Sequence, residues 1–127
     1  MDRSQMMAAV RSKDTAPEMI VRRLVHSLGY RYRLHQRDLP GKPDLVFRAK
    51  RKVVFVHGCF WHQHGCKGSH LPKSNQTYWK PKLERNRERD AEHIEELRGS
   101  GWKCLVLWEC ELVDVVRLSR RICKFLD

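Results

Sequence analysis

No apolar run in the 127 residues is long enough to cross a bilayer. No basic n-region followed by an apolar h-region marks the start. Both absences point to an intracellular, cytoplasmic chain with no membrane partner. The cysteines do not form an even set either. Five Cys without a secretory pattern argue against a disulfide framework and for reduced thiols, some of them metal ligands. There is no internal repeat and no low-complexity segment. Acidic charge is scarce, with 15 Asp and Glu against 26 Lys and Arg, a net charge of +11. Such an excess favours a polyanion partner, because each neutralised phosphate releases counterions.

A chain of this length fits one domain, residues 1–127, and its 41% apolar content is that of a folded protein. Residues 1–13 read as a basic arm or frayed helix carrying Met6 and Met7. Thr15-Ala-Pro-Glu18 is a capping box, opening a helix that runs to about Leu28 and stops at Gly29. Tyr30 to His35 reads as a first strand. Asp44 to Arg48 and Lys52 to His57 read as a hairpin around a basic turn. Residues 58–80 read as a long loop, which needs something to hold it together. Residues 82–98 form a helix. Trp102 to Trp108 is then a strand lying parallel to Lys52–His57, and Glu111 to Leu126 is a closing helix. The order is αβββαβα, an α/β domain.

The segment His57-Gly-Cys-Phe-Trp-His-Gln-His-Gly-Cys66 concentrates the chemistry. Cys59, His64 and Cys66 have metal-ligand spacing, and Cys110 ends the strand expected beside Lys52–His57. Three thiolates and one imidazole make a closed zinc site. His62 and His70 compete with His64 for the imidazole place. Cys104 and Cys123 read as core residues.

Asp44 opens one hairpin strand and His57 ends the other. A carboxylate at a strand end can hold Mg²⁺ against a phosphate, although Asp after Pro is also an ordinary turn residue. Asn86 and Asp90 fall on the inward stripe of the 82–98 helix, defined by Leu83, Ile94 and Leu97. They could orient His57 or His62. A neutral His62 could take a proton from an attacking water. Glu18 is explained by capping, yet it could also bind a metal or its waters. Phe60 and Trp61, with Trp79 further on, read as aromatic stacking or wedge residues beside a basic surface, or as a small satellite core over the zinc, with Trp79 standing evenly between the two; Met7 could be a second apolar wedge.

Taken in order, these residues resemble the very short patch repair (Vsr) DNA mismatch endonucleases. The resemblance spans about residues 3–112. It rests on Asp-Thr-Ala-x-Glu18, Leu-Pro-Gly-Lys-Pro-Asp44, Val-His-Gly-Cys-Phe-Trp-His62, His64-x-Cys66, Asn-x-Glu-Arg-Asp90 and Leu-Trp-Glu-Cys110. It implies a PD-(D/E)xK restriction-endonuclease-like core with a structural zinc. It implies a monomer that nicks double-stranded DNA 5′ to the thymine of a T:G mismatch, using Mg²⁺, with a mismatch-repair protein as partner.

The implied roles are specific. Asp44 and the main-chain carbonyl of Val56 bind Mg²⁺, with Glu18 supporting the site, directly or through water. His62 is the general base and His57 a second active-site imidazole, with Asn86 and Asp90 behind them. Cys59, His64, Cys66 and Cys110 hold zinc. Phe60, Trp61, Trp79 and Met7 enter the duplex. Val56 stands where better-known members have Thr. The second carboxylate and the Lys of the broader nuclease motif are missing, and His57 lies near the Lys position. Two rivals differ in class: a restriction or defence nuclease with another DNA target, and a non-catalytic zinc DNA-binding module that does not need Asp44.

Overall fold

A computed structural model describes residues 16–34, 36–58 and 76–127. Helix α1, Ala16–Ser27, carries Glu18 in its first turn and buries Val21 and Val25 completely. Gly29 ends it at φ +96°, a conformation that costs glycine no Cβ clash. Strand β1, Leu45–Phe47, is buried throughout. A single 3-10 turn, Arg48–Lys50, and left-handed Arg51 return the chain into β2, Lys52–His57. Helix α2, Gln76–Gly99, then leads to β3, Lys103–Trp108. A 3-10 segment, Glu109–Val113, precedes α3, Val115–Leu126. The side chain of Asp114 caps α3 by accepting the Arg117 N–H at 3.1 Å.

Among the described residues the three strands form one sheet with β2 in the middle. β1 runs antiparallel to it, pairing Leu45 with Val54, and β3 parallel, from Lys52↔Lys103 to His57↔Trp108. Alternation along the strands divides the core in two. Leu45, Phe47, Val54 and Leu107 pack with α1 and α3 residues such as Val21, Val25, Leu118 and Ile122. Val46, Val53 and Phe55 pack on the other face with Leu97 and Ile94 of α2. Burying each of these side chains contributes roughly 1.5–3 kcal/mol relative to exposure. No helix among the described residues is long and apolar enough to cross a membrane.

Three sequence expectations are corrected. Tyr30 to His35 is not a strand; among its described residues only Arg33 bridges, exchanging both backbone hydrogen bonds with Val46 at 2.9 and 3.0 Å. β1 is too short to template more, and Tyr30 and Tyr32 bond instead to Asp127 and to the Arg22 carbonyl. α2 begins at Gln76 rather than 82. Pro81 reads as a break, but its missing N–H costs a single helical bond, while buried Trp79 anchors that end. α3 begins at Val115, because Glu111 is occupied elsewhere. Its carboxylate accepts the Trp108 N–H at 3.2 Å and pairs with Arg121.

Candidate active site

The loop Leu39-Pro-Gly-Lys-Pro43 delivers Asp44 to the start of β1. Gly41 makes that path possible. It sits at φ +76°, and a Cβ there would meet the His93 Cβ of α2 at 2.8 Å. Gly41→Ala combines backbone strain with that clash. It is expected to lower stability by about 1–3 kcal/mol, read as a shift of the urea midpoint at unchanged m-value.

Asp44 then extends the ladder in an unusual way. Its own N–H donates to the Val54 carbonyl at 3.0 Å. Its Oδ2 accepts the N–H of Val56 at 2.6 Å, where a backbone carbonyl would ordinarily stand. Within a strand, the N–H and C=O of one residue point to the same edge. The Val56 carbonyl is therefore sent toward the carboxylate that its N–H bonds.

Glu18 reaches this point from α1. It is 4% exposed, and its side chain hydrogen-bonds that of Asp44. Burial, followed by the Glu18 hydrogen bond and charge, pushes the Asp44 carboxyl up to about 8; the Val56 N–H and Arg22 pull it the other way. Arg22, one helical turn after Glu18, forms a buried ion pair with it. Sequence reasoning passes over Arg22. Its signal is the i, i+4 spacing from Glu18, between two positions, Val21 and Val25, that face the core.

The donor set is made of hard oxygens: two carboxylates and one main-chain carbonyl at a sheet end. That chemistry fits Mg²⁺ and does not suit a soft metal.

His57 closes β2. It is 7% exposed, tilted against Phe55 at 5.6 Å and edge-on to Trp108 at 5.2 Å between ring centroids. Alternation puts it with Val53 and Phe55 on the face that α2 covers. On α2, Trp79, Leu83 and Leu97 are buried, and Asn86, Asp90, His93 and Ile94 are half-buried along the same stripe. Three polar residues thus accompany the apolar stripe on the helix that covers the His57 face.

Trp79 takes the core side of its two readings in this structure. It is 1% exposed, with Tyr78 edge-on at 4.8 Å and the Lys82 ammonium over its ring at 5.9 Å. Its position on the stripe makes it a packing residue in the free protein, not a ring presented to DNA. Cys110 is exposed, two residues beyond Trp108. Because Trp108 pairs with His57, Cys110 lies at the sheet end where the chain leaves β2. Cys59, Phe60, Trp61, His62, His64, Cys66, His70 and Met7 lie outside the described residues.

A carboxylate pair at the end of a mixed sheet, in a basic chain, is a geometry suited to phosphodiester chemistry. Similar proteins are named for DNA cutting. The family model described as DNA mismatch endonuclease Vsr matches residues 1–68. The chain is 54% identical over 125 residues to type II nicking enzyme V.XorIIP of Xanthomonas oryzae pv. oryzae, covering 98% of this chain and 92% of that one. It is 46% identical to type II nicking enzyme V.NmeAIP of Neisseria meningitidis, with the same coverage. To the DNA mismatch endonuclease Vsr of Escherichia coli K12 it is 40% identical, over 87% of this chain and 70% of that one. The class is that of DNA endonucleases. Within it, the chain belongs to the DNA mismatch endonuclease Vsr family.

Proposed function

We propose that this endonuclease nicks one strand of duplex DNA 5′ to the thymine of a T:G mismatch, the product of 5-methylcytosine deamination, and so starts very short patch repair. The observation that carries the reading is the Asp44–Glu18–Val56 cluster at the end of β2 in a chain of this family. The relatives named type II nicking enzymes support single-strand cutting.

Asp44 and the Val56 carbonyl would hold Mg²⁺, with Glu18 behind them or acting through water. When bound, that ion supplies stabilisation of the charge developing on the scissile phosphate. Asp44 fixes the geometry through its bond to the Val56 N–H. His62 takes the proton of the attacking water. His57, buried against Phe55 and Trp108, keeps a second imidazole at the strand end, and Asn86 and Asp90 orient the imidazoles from α2. Phe60, Trp61 and Met7 enter the duplex, where unstacking a mismatch costs less than unstacking matched DNA. Cys59, His64, Cys66 and Cys110 hold a structural zinc that fixes the segment after β2. Zinc content near one per chain, with Cys110→Ser losing both the metal and about 2 kcal/mol or more of stability, is the expected outcome of metal analysis and urea unfolding.

The deciding experiment incubates protein and Mg²⁺ with a duplex bearing one T:G mismatch, each strand labelled separately, beside T:A and C:G controls and with randomised flanks. A nick in the T strand alone, immediately 5′ of the thymine, is expected. Equal cutting of matched DNA would instead assign a restriction or defence role, a reading to which the nicking-enzyme relatives lend some weight. Tight mismatch binding with no cutting would favour a recognition module.

A further inference from the structure

Arg22 is a buried cation two contacts away from the proposed metal ligand. It is 8% exposed on α1, ion-paired to Oε2 of Glu18, and its Nη1 lies 3.2 Å from the Met19 sulfur. The Tyr32 hydroxyl donates to its carbonyl at 3.3 Å, holding that turn of the helix in place. Glu18 in turn hydrogen-bonds Asp44. We propose that Arg22 is a resident counter-cation that keeps the Asp44–Glu18 pair a weak site for a divalent ion until DNA is bound. The inference rests on the metal-assisted reading given above.

Charge balance around the carboxylates sets the affinity. With both carboxylates ionised, as at alkaline pH, Asp44, Glu18 and the Arg22 guanidinium carry a single negative charge between them. A divalent ion bound there leaves the cluster net positive, an unfavourable result in a partly buried place. A phosphodiester then restores balance with its own negative charge. Ion and scissile phosphate therefore bind better together than the ion binds alone. Without Arg22 the two carboxylates would neutralise a divalent ion by themselves, and the metal would load whether or not DNA was present. A purely structural Arg22, there only to offset the buried Glu18, gives a different expectation. Its loss would weaken the fold and loosen the metal site together.

The test reads metal binding directly. Mn²⁺ alone is titrated at alkaline pH into the wild-type protein, Arg22→Gln and Arg22→Lys, following free Mn²⁺ by its paramagnetic resonance. Arg22→Gln is expected to bind roughly tenfold tighter or more, and Arg22→Lys, which keeps the charge, close to wild type. Adding an uncleavable T:G duplex should tighten Mn²⁺ binding by wild type much more than by Arg22→Gln. Unchanged or weaker binding by Arg22→Gln would overturn the proposal. If that variant does not fold, the wild type decides alone: no tightening on adding duplex overturns it. Asp44→Asn is run beside these. Mn²⁺ binding that survives it would sink the metal-assisted reading itself, whereas Asp44-dependent binding indifferent to Arg22 would sink only this inference.

Discussion

Asp44→Asn is expected to reduce nicking by roughly 10³-fold or more, because a lost metal ligand forfeits several kcal/mol of charge stabilisation. The same variant should fold more stably than the parent. The amide oxygen can still accept the Val56 N–H that Asp44 now accepts at 2.6 Å. What disappears is a carboxylate held beside Glu18 in a half-buried place. Single-turnover nicking assays and urea unfolding in chelator measure the two sides. Loss of cutting together with lower stability would mean that Asp44 is structural. Mismatch binding should persist, since the proposed wedge residues Phe60, Trp61 and Met7 are untouched; a binding module would keep its whole function.

The second large effect is on pH. Asp44 titrates at about 8 in the folded chain, against an ordinary 3.8. Between those values the folded state holds a proton that the unfolded state has released. Stability from this group is therefore fully present below the ordinary value and is lost as pH rises toward 8. The sign is opposite to that of a salt-bridged carboxylate. Over that window the metal-free protein should lose on the order of 2–4 kcal/mol from this source. Asp44→Asn should remove the slope, matching wild type near the acid end and exceeding it at pH 8. Metal binding inherits the same proton. Apparent Mg²⁺ affinity should rise roughly tenfold per pH unit up to about 8 and then level off. A flat profile between pH 6 and 8 would show that Asp44 is already ionised in the metal-free protein.

Much of this arrangement is legible in the residues. Lys52–His57 and Lys103–Trp108 are apolar runs separated by a helix, and they pair in parallel as that order predicts. The helix expected after Thr15 is α1, and Gly29 marks its end. What misled was pattern without partner. Tyr30-Arg-Tyr-Arg-Leu34 alternates like a strand, but β1 is only three residues long and offers one position to pair with. The helix read over 82–98 starts earlier, with Pro81 carried inside α2.

The site was legible unevenly. Asp44, Val56 and Glu18 were named from motif and resemblance, and they meet at one sheet end. Arg22 was missed because one more arginine in so basic a chain carries no signal until its burial is seen. Trp79 stands between two readings in the sequence for the opposite reason. Beside Tyr78 and Lys80 it reads as a surface aromatic, whereas helical phase alone decides that it faces inward. Asn86 and Asp90 share that phase and are half-buried on the same stripe.

Strand β2 has a consequence for how this protein can change. Successive residues of one strand serve unlike tasks: Val56 lends its backbone to Asp44, and His57 its ring to the opposite face. Inserting or deleting a single residue upstream in β2 would exchange the two faces at once, turning Val53 and Phe55 out of one core and Val54 out of the other. Length variation is thus barred from Lys52–His57 and left to the 3-10 turn at Arg48–Lys50 and the glycines at 99 and 101. Chimeras between relatives would best be joined at those two places, where the chain changes direction without carrying a site residue.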